Sequence, residues 1–374
     1  MAGRGRIFAL LALVAVLATA CGGGGQASGA SADLSEAKIG FLFVGPRDDF
    51  GYNQAAFAGS EAVAAAFPDH EVLTQENVPE TQEAERVMED MIEKGAGIIF
   101  ATSFGHLGPA VEVAKRHPEV IVLHQGGLEP EPMDNFGTYF GTVYEPVYEA
   151  GIAAGAASQT GKLGFVAAFP IAQTLANVNA FHLGARSVNP DVTTTVVFTS
   201  SWCDPAIQAE AAQSLLDQDI DVLTQHQDCT KTIVETAEAA GAFSVGYHAD
   251  ASALAPGGWL VGSVWDWGDL YVDIVQTALD GSFVGSPYDG DFRVGLRTGD
   301  NPFVLTELGP GVSAETAALI DAAAERFRAG GSPFDGPVAD QQGAVRVPEG
   351  ESPSYQVIEQ MDYLAEGVIG EIPG

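Results

Sequence analysis

The chain has 374 residues and sets 16 basic against 50 acidic side chains, a formal net charge of −34. Such a surface repels nucleic acid, so no nucleic-acid partner is expected. The length suits two domains with a substantial core, and a 46% hydrophobic share with aromatics along the chain excludes a wholly disordered one.

The first segment stands apart. Arg4 and Arg6 make a short positive region, residues 8–17 are apolar, and Ala18, Thr19, Ala20 and Cys21 follow. The apolar run is too short to span a bilayer and reads as an export signal. The small residues before Cys21 resemble the lipobox of bacterial lipoproteins. That resemblance implies a signal peptide over 1–20, cleavage before Cys21, and lipid on its thiol and new amino group; a cut after Ala20 without lipid is the simpler alternative. Residues 22–30, GGGGQASGA, have nothing to pack and continue a flexible tether over 21–36. The expected location is the extracytoplasmic face of the cell membrane, held by the lipid anchor.

From residue 37 strand and helix patterns alternate. Residues 38–44 (KIGFLFV), 71–75, 97–101 and 120–124 read as strands. Between and around them, 53–67, 79–94 and 107–117 have helical periodicity, the first and last closed by Pro68 and Pro118. The rhythm restarts with a helix over 146–160. Strands at 162–167, 193–198, 221–225, 244–247 and 259–264 then enclose helices at 171–188, 206–218 and 231–240, and a helix at 270–279 follows. Strands spaced by such helices are βαβ units, which predict parallel sheets covered on both faces. The fold class is therefore α/β, with an N-terminal lobe over 37–144, a C-terminal lobe over 145–265, and a hinge crossover and tail over 266–374. Within that tail, 289–296 reads as a strand pair and 313–329 as a helix. The tail is expected to return to the N-terminal lobe.

Ligands of open parallel sheets sit beyond the carboxyl ends of the strands. After the first strand stand Asp49, Tyr52 and Asn53; Asp49 serves either as a ligand contact or as a helix cap. Ser103 and Phe104 follow the third strand. In the second half Trp202, Asp228, His248, Asp250 and Trp265 hold the same kind of position. Rings beside amides and carboxylates suit a planar, polar, uncharged ligand such as a base, and the acids oppose a phosphorylated one. Each tryptophan is a ligand platform or a core residue. The sequence has no Gly-x-Ser-x-Gly elbow and no Walker loop, so no enzyme is expected, and no cofactor or metal.

These residues resemble the basic membrane protein family of substrate-binding lipoproteins of ABC importers. The likeness rests on Gly51-Tyr52-Asn53-Gln54 with Gly59, on the stretch from Tyr139-Phe140-Gly141 to Ala150-Gly151, on the 161–166 strand, and on Gly246 to Asp250. Ser201-Trp202-x-Asp204-Pro205 and Thr224-Gln225-His226-x-Asp228 look like the branch that binds adenine-type nucleobases. The resemblance implies a type I periplasmic-binding-protein fold, two Rossmann-like lobes with parallel sheets and a ligand cleft between them. It also implies a purine sandwiched by rings and read by a carboxylate, and a permease with its ATPase as partners. Tyr52 and Trp202 become the stacking candidates; Asp49, Asn53 and Asp228 become the polar ones. Nucleoside receptors of the family carry an acid where His248 stands and a lysine where Trp265 stands, so a free base is expected over a nucleoside. Asp250 keeps the nucleoside open, and a ligand-sensing lipoprotein uncoupled from transport is a further alternative. Cys203 and Cys229 each follow a strand of the second half. Consecutive strands are often neighbours, so a disulfide between them is expected rather than two free thiols.

Overall fold

The structure is a computed structural model that describes residues 34–129 and 131–373. Cys21, the export signal and the tether up to residue 33 lie outside the described residues.

The first strands are β1 (Lys38–Leu42), β2 (Val72–Gln75), β3 (Ala96–Ala101), β4 (Ile121–Gln125) and β5 (Phe136–Gly141). Between them run α1 (Tyr52–Ala66), α2 (Gln82–Glu93) and α3 (Leu107–Arg116). Every residue of β3 and β5 is buried, as expected for strands covered on both faces. Phe41 and Phe100 stack on neighbouring strands with ring centres 4.4 Å apart.

The chain then crosses through α4 (Tyr144–Ala157) into β6 (Lys162–Ala167), α5 (Ala172–Val188), β7 (Thr193–Phe198), α6 (Pro205–Leu216), β8 (Val222–His226), α7 (Lys231–Ala240), β9 (Phe243–His248) and β10 (Trp259–Trp265). It returns through α8 (Gly268–Leu279), which lies against α1, to β11 (Asp291–Val294), and crosses back to β12 (Phe303–Leu305). The last elements are α9 (Ala314–Arg328), the antiparallel pair β13 (Val338–Ala339) and β14 (Val345–Val347), the turn of helix α10 (Tyr355–Ile358), and β15 (Val368–Ile369).

The first sheet has the order β2-β1-β3-β4-β5-β11 and is parallel throughout. The second has the order β15-β7-β6-β8-β9-β10-β12, in which only β12 runs antiparallel. This is a two-lobed α/β fold with parallel sheets flanked by helices. The expected strand pair over 289–296 is the single strand β11.

The tail departs from expectation. α8 packs on the first lobe and β11 joins the first sheet, as expected, but α9 and β15 attach to the second lobe. Phe327 of α9 meets the ring of Tyr148 on α4 edge-on at 5.5 Å, and β15 pairs with Thr194 and Thr195 of β7. The reason is an edge: without β15, β7 would end the sheet with unpaired backbone groups. Asn179, buried on α5, fixes the tail by accepting from Ala365 N at 2.8 Å and donating to Tyr363 O at 2.9 Å. Asn179→Ala leaves that amide and carbonyl unpaired. The expected cost is about 1–3 kcal/mol in urea unfolding, with earlier proteolysis in the 360–370 stretch; an unchanged unfolding midpoint would show that the tail is held elsewhere.

Candidate functional site

The strand ends of the two lobes meet at a cleft, and the chain is strained where it turns into it. Phe50, Ser200 and His248 have positive φ (58°, 54° and 68°), and each follows or ends a strand at this rim. Non-glycine residues in that region gather at functional sites.

Asp228 sits at the centre. It is 6% exposed, and no side chain or backbone group among the described residues donates to its carboxylate. Burial first, and then the nearby Asp49 and Glu80 carboxylates, hold its carboxyl well above the usual range. Its backbone is well tied: Asp228 N donates to Trp202 O at 2.8 Å, and Cys229 next to it is bonded to Cys203, with Cα atoms 5.2 Å apart. The two cysteines follow β7 and β8, which are not neighbours; β6 lies between them, and the loops meet beyond its end.

Tyr52 and Tyr247 lie near this carboxyl, and two neutral imidazoles pack against those rings. Tyr52 from α1 is buried, its ring centre 4.9 Å from that of His248. His248 Nδ1 receives the indole N–H of Trp265 at 2.8 Å. An indole nitrogen only donates, so the His248 proton is on Nε2. His226 Nδ1 lies 3.0 Å from Asn177 Nδ2 and 3.4 Å from the Tyr247 hydroxyl, which leaves its Nε2 as the N–H donor. Burial pushes His226 down to about 3 and, with His226 beside it, keeps His248 well below its ordinary value. Both rings are therefore uncharged at neutral pH. Trp202 is half-buried, edge-on to Phe169 at 5.0 Å, with its indole N–H on Glu80 Oε2 at 3.2 Å.

The remaining candidates separate into two groups. Asp49 and Asn53 are buried beside the cleft but already engaged. Asp49 accepts from the backbone of Gly51, Asn53 and Gln54 at 2.9–3.1 Å and from Asn53 Nδ2 at 2.7 Å, while Asn53 Oδ1 accepts from Gly45 N. They hold the start of α1. Ser103 is buried and donates to Glu80. Trp265 stacks on Trp267 at 4.1 Å and against Phe303 at 4.3 Å, which makes it part of the aromatic hinge as well as the partner of His248. Phe104 and Asp250 are not brought in: Phe104 is 40% exposed, and Asp250 is exposed and caps the next turn through Ser252 N at 2.8 Å.

Glu80, Asn177 and Tyr247 belong to the arrangement and were not among the sequence candidates. Tyr247 stands one residue before His248 on the same strand. Asn177 is a fully buried amide in the middle of a helix, and Glu80 sits just before a helix, where an acid reads as ordinary dipole complementation. Among the described residues no group of three or more His, Cys, Asp or Glu is placed to hold a metal, and no helix is long and apolar enough to cross a membrane.

The raised Asp228 carboxyl gives a signed pH dependence. The folded state keeps its proton where the unfolded chain, with an ordinary value of 3.8, releases it. Stability from this group is complete below that value and is lost as pH rises toward the folded value. Ligand-free Asp228→Asn is therefore expected to melt higher than the wild-type chain at pH 7, by a margin that shrinks toward pH 4. A margin independent of pH would assign the effect to something other than this carboxyl.

Comparison with known proteins places this arrangement. The family described as ABC transporter substrate-binding protein PnrA-like (Bmp) matches residues 36–300. A purine-binding protein of Brucella abortus is 33% identical over 92% of this chain and 96% of its own. A putative ABC transporter glucose-binding protein of Haloferax volcanii is 31% identical over 94% of this chain and 84% of its own. In fold, a solute-binding protein of an ABC transporter system from Aeropyrum pernix superposes with a TM-score of 0.69 at 20% identity, covering 79% of this chain and 92% of that one. A transcriptional activator of the comK gene from Bacillus halodurans gives 0.67 at 23%, covering 79% and 99%. With a family match across most of its length and a relative 33% identical over 92% of it, the chain belongs to the Bmp family of ABC transporter substrate-binding proteins.

Proposed function

We propose that this substrate-binding protein holds a purine nucleobase of the adenine type between its lobes and delivers it to an ABC permease and its ATPase. The observation that carries the reading is Asp228: a buried carboxyl without a protein donor, close to the Tyr52 and Tyr247 rings, in a loop tied to that of Trp202. A planar base supplies what is missing. Its faces stack on Tyr52 and Trp202, its N–H groups satisfy the carboxylate, and its ring nitrogens accept from Nε2 of His226 and His248. The likeness to the Brucella abortus purine-binding protein supports the same ligand class. Asp250, the acid left for ribose hydroxyls, is exposed and accepts from Ser252 N, which supports the free base over the nucleoside.

A sugar is the second reading, favoured by the name of the Haloferax volcanii relative. The acid and imidazole groups suit either class; the rings of Tyr52 and Trp202 near the buried Asp228 favour the base. We further propose that Cys21 carries lipid and keeps the receptor at the extracytoplasmic face of the membrane.

A calorimetric screen of adenine, guanine, hypoxanthine, their nucleosides and glucose separates these ligands. Adenine is expected to bind one to one and more tightly than adenosine. Glucose binding with no response to any purine would overturn the ligand assignment, and tighter adenosine would overturn the base preference. Cys21→Ser is expected to release the protein from the membrane fraction; retention there would contradict the anchor.

A further inference from the structure

We propose that Glu80 and Gly51 are positioning residues for closure: they form a latch at one rim of the cleft that seats Trp202 over the ligand only when the lobes meet. This goes beyond the ligand assignment and concerns how either ligand class is held.

Three hydrogen bonds cross between the lobes at this rim. Tyr52 N donates to Asp228 O at 3.0 Å, Thr230 Oγ1 donates to Phe50 O at 2.7 Å, and Trp202 Nε1 donates to Glu80 Oε2 at 3.2 Å. Glu80 is preset on its own lobe. Its Oε1 accepts from Ser103 Oγ at 2.7 Å and from Gly105 N at 2.8 Å, which leaves Oε2 directed at the second lobe. The Trp202 loop is preset as well, by the Cys203–Cys229 disulfide and by Asp228 N on Trp202 O. Two rigid halves lose little conformational freedom when they join, so the contact is spent on holding the closed form.

Gly51 sets how near the lobes come. A β-carbon built there would lie 1.6 Å from the carbonyl oxygen of Asp228. The backbone at Gly51 is extended, with φ of −164°, so the need for glycine comes from contact and not from conformation. Any side chain at this position holds the rim open. Closure also brings the Glu80 and Asp49 carboxylates toward Asp228, so the latch works against repulsion until a ligand supplies donors to that group.

The test uses the full chain with adenine as the probe, a choice that rests on the purine reading. Glu80→Gln turns the acceptor facing the Trp202 indole into an amide donor while keeping shape, and is expected to leave adenine association unchanged and to speed dissociation about tenfold. Gly51→Ala is expected to keep the ligand-free melting temperature and to abolish ligand-induced compaction in small-angle scattering. Wild-type dissociation in Glu80→Gln, or wild-type compaction in Gly51→Ala, overturns the latch. A fluorescent pair with one dye on each lobe reads closure without ligand as well. If the purine reading is wrong, the wild type does not respond to adenine; if the latch is wrong, adenine closes Gly51→Ala to the same distance distribution as the wild type.

Discussion

A carboxyl buried without a donor is costly, because burial disfavours the charge and nothing nearby compensates it. Asp228 is such a group, and the neighbouring structure is arranged around keeping it in place. Its amide is held by Trp202 O, its loop is tied by the disulfide through Cys229, and Tyr52 N reaches its carbonyl from the other lobe. What is left unsatisfied is the side chain, in a position where a ligand can meet it. A protein designed only for stability would have replaced it with an amide or an apolar residue.

The fold explains why that group stands where it does. Parallel sheets direct all their carboxyl ends one way, so two such lobes joined by three crossovers set two rows of loops against each other. The aromatic hinge of Trp265, Trp267 and Phe303 lies behind His248 and fixes its ring through the indole N–H of Trp265. A tautomer is thereby chosen by a residue that itself need not touch the ligand. The tail completes the second sheet by covering the β7 edge, and so it supports the lobe that carries most of the polar groups.

Much of this was legible in the sequence, and the rest was hidden for identifiable reasons. The long strands and helices announce themselves by period and by their closing prolines and glycines. β5, FGTYFG, has two glycines and no clean alternation, while β12 and β15 are three and two residues long and exist only because a neighbouring edge needs a partner. In the proposed site, Tyr52, Trp202, Asp228 and His248 stand after or at the end of strands, where the sequence rule looks. That rule also collected Phe104 and Asp250, which point elsewhere, because position along a strand says nothing of side-chain direction. It could not find Asn177, in the middle of α5, or Glu80, whose second partner lies on the other lobe. The two cysteines were rightly paired on a wrong premise: their strands flank β6 instead of each other.

The central claim is that Asp228 reads the N–H edge of a planar base. Calorimetric titration of adenine into the wild-type chain and into Asp228→Asn at neutral pH tests it most directly. The account predicts one-to-one binding by the wild type and a loss of at least about tenfold in affinity for the variant, the worth of a charged hydrogen bond in a buried site. Equal affinities for the two proteins would contradict it.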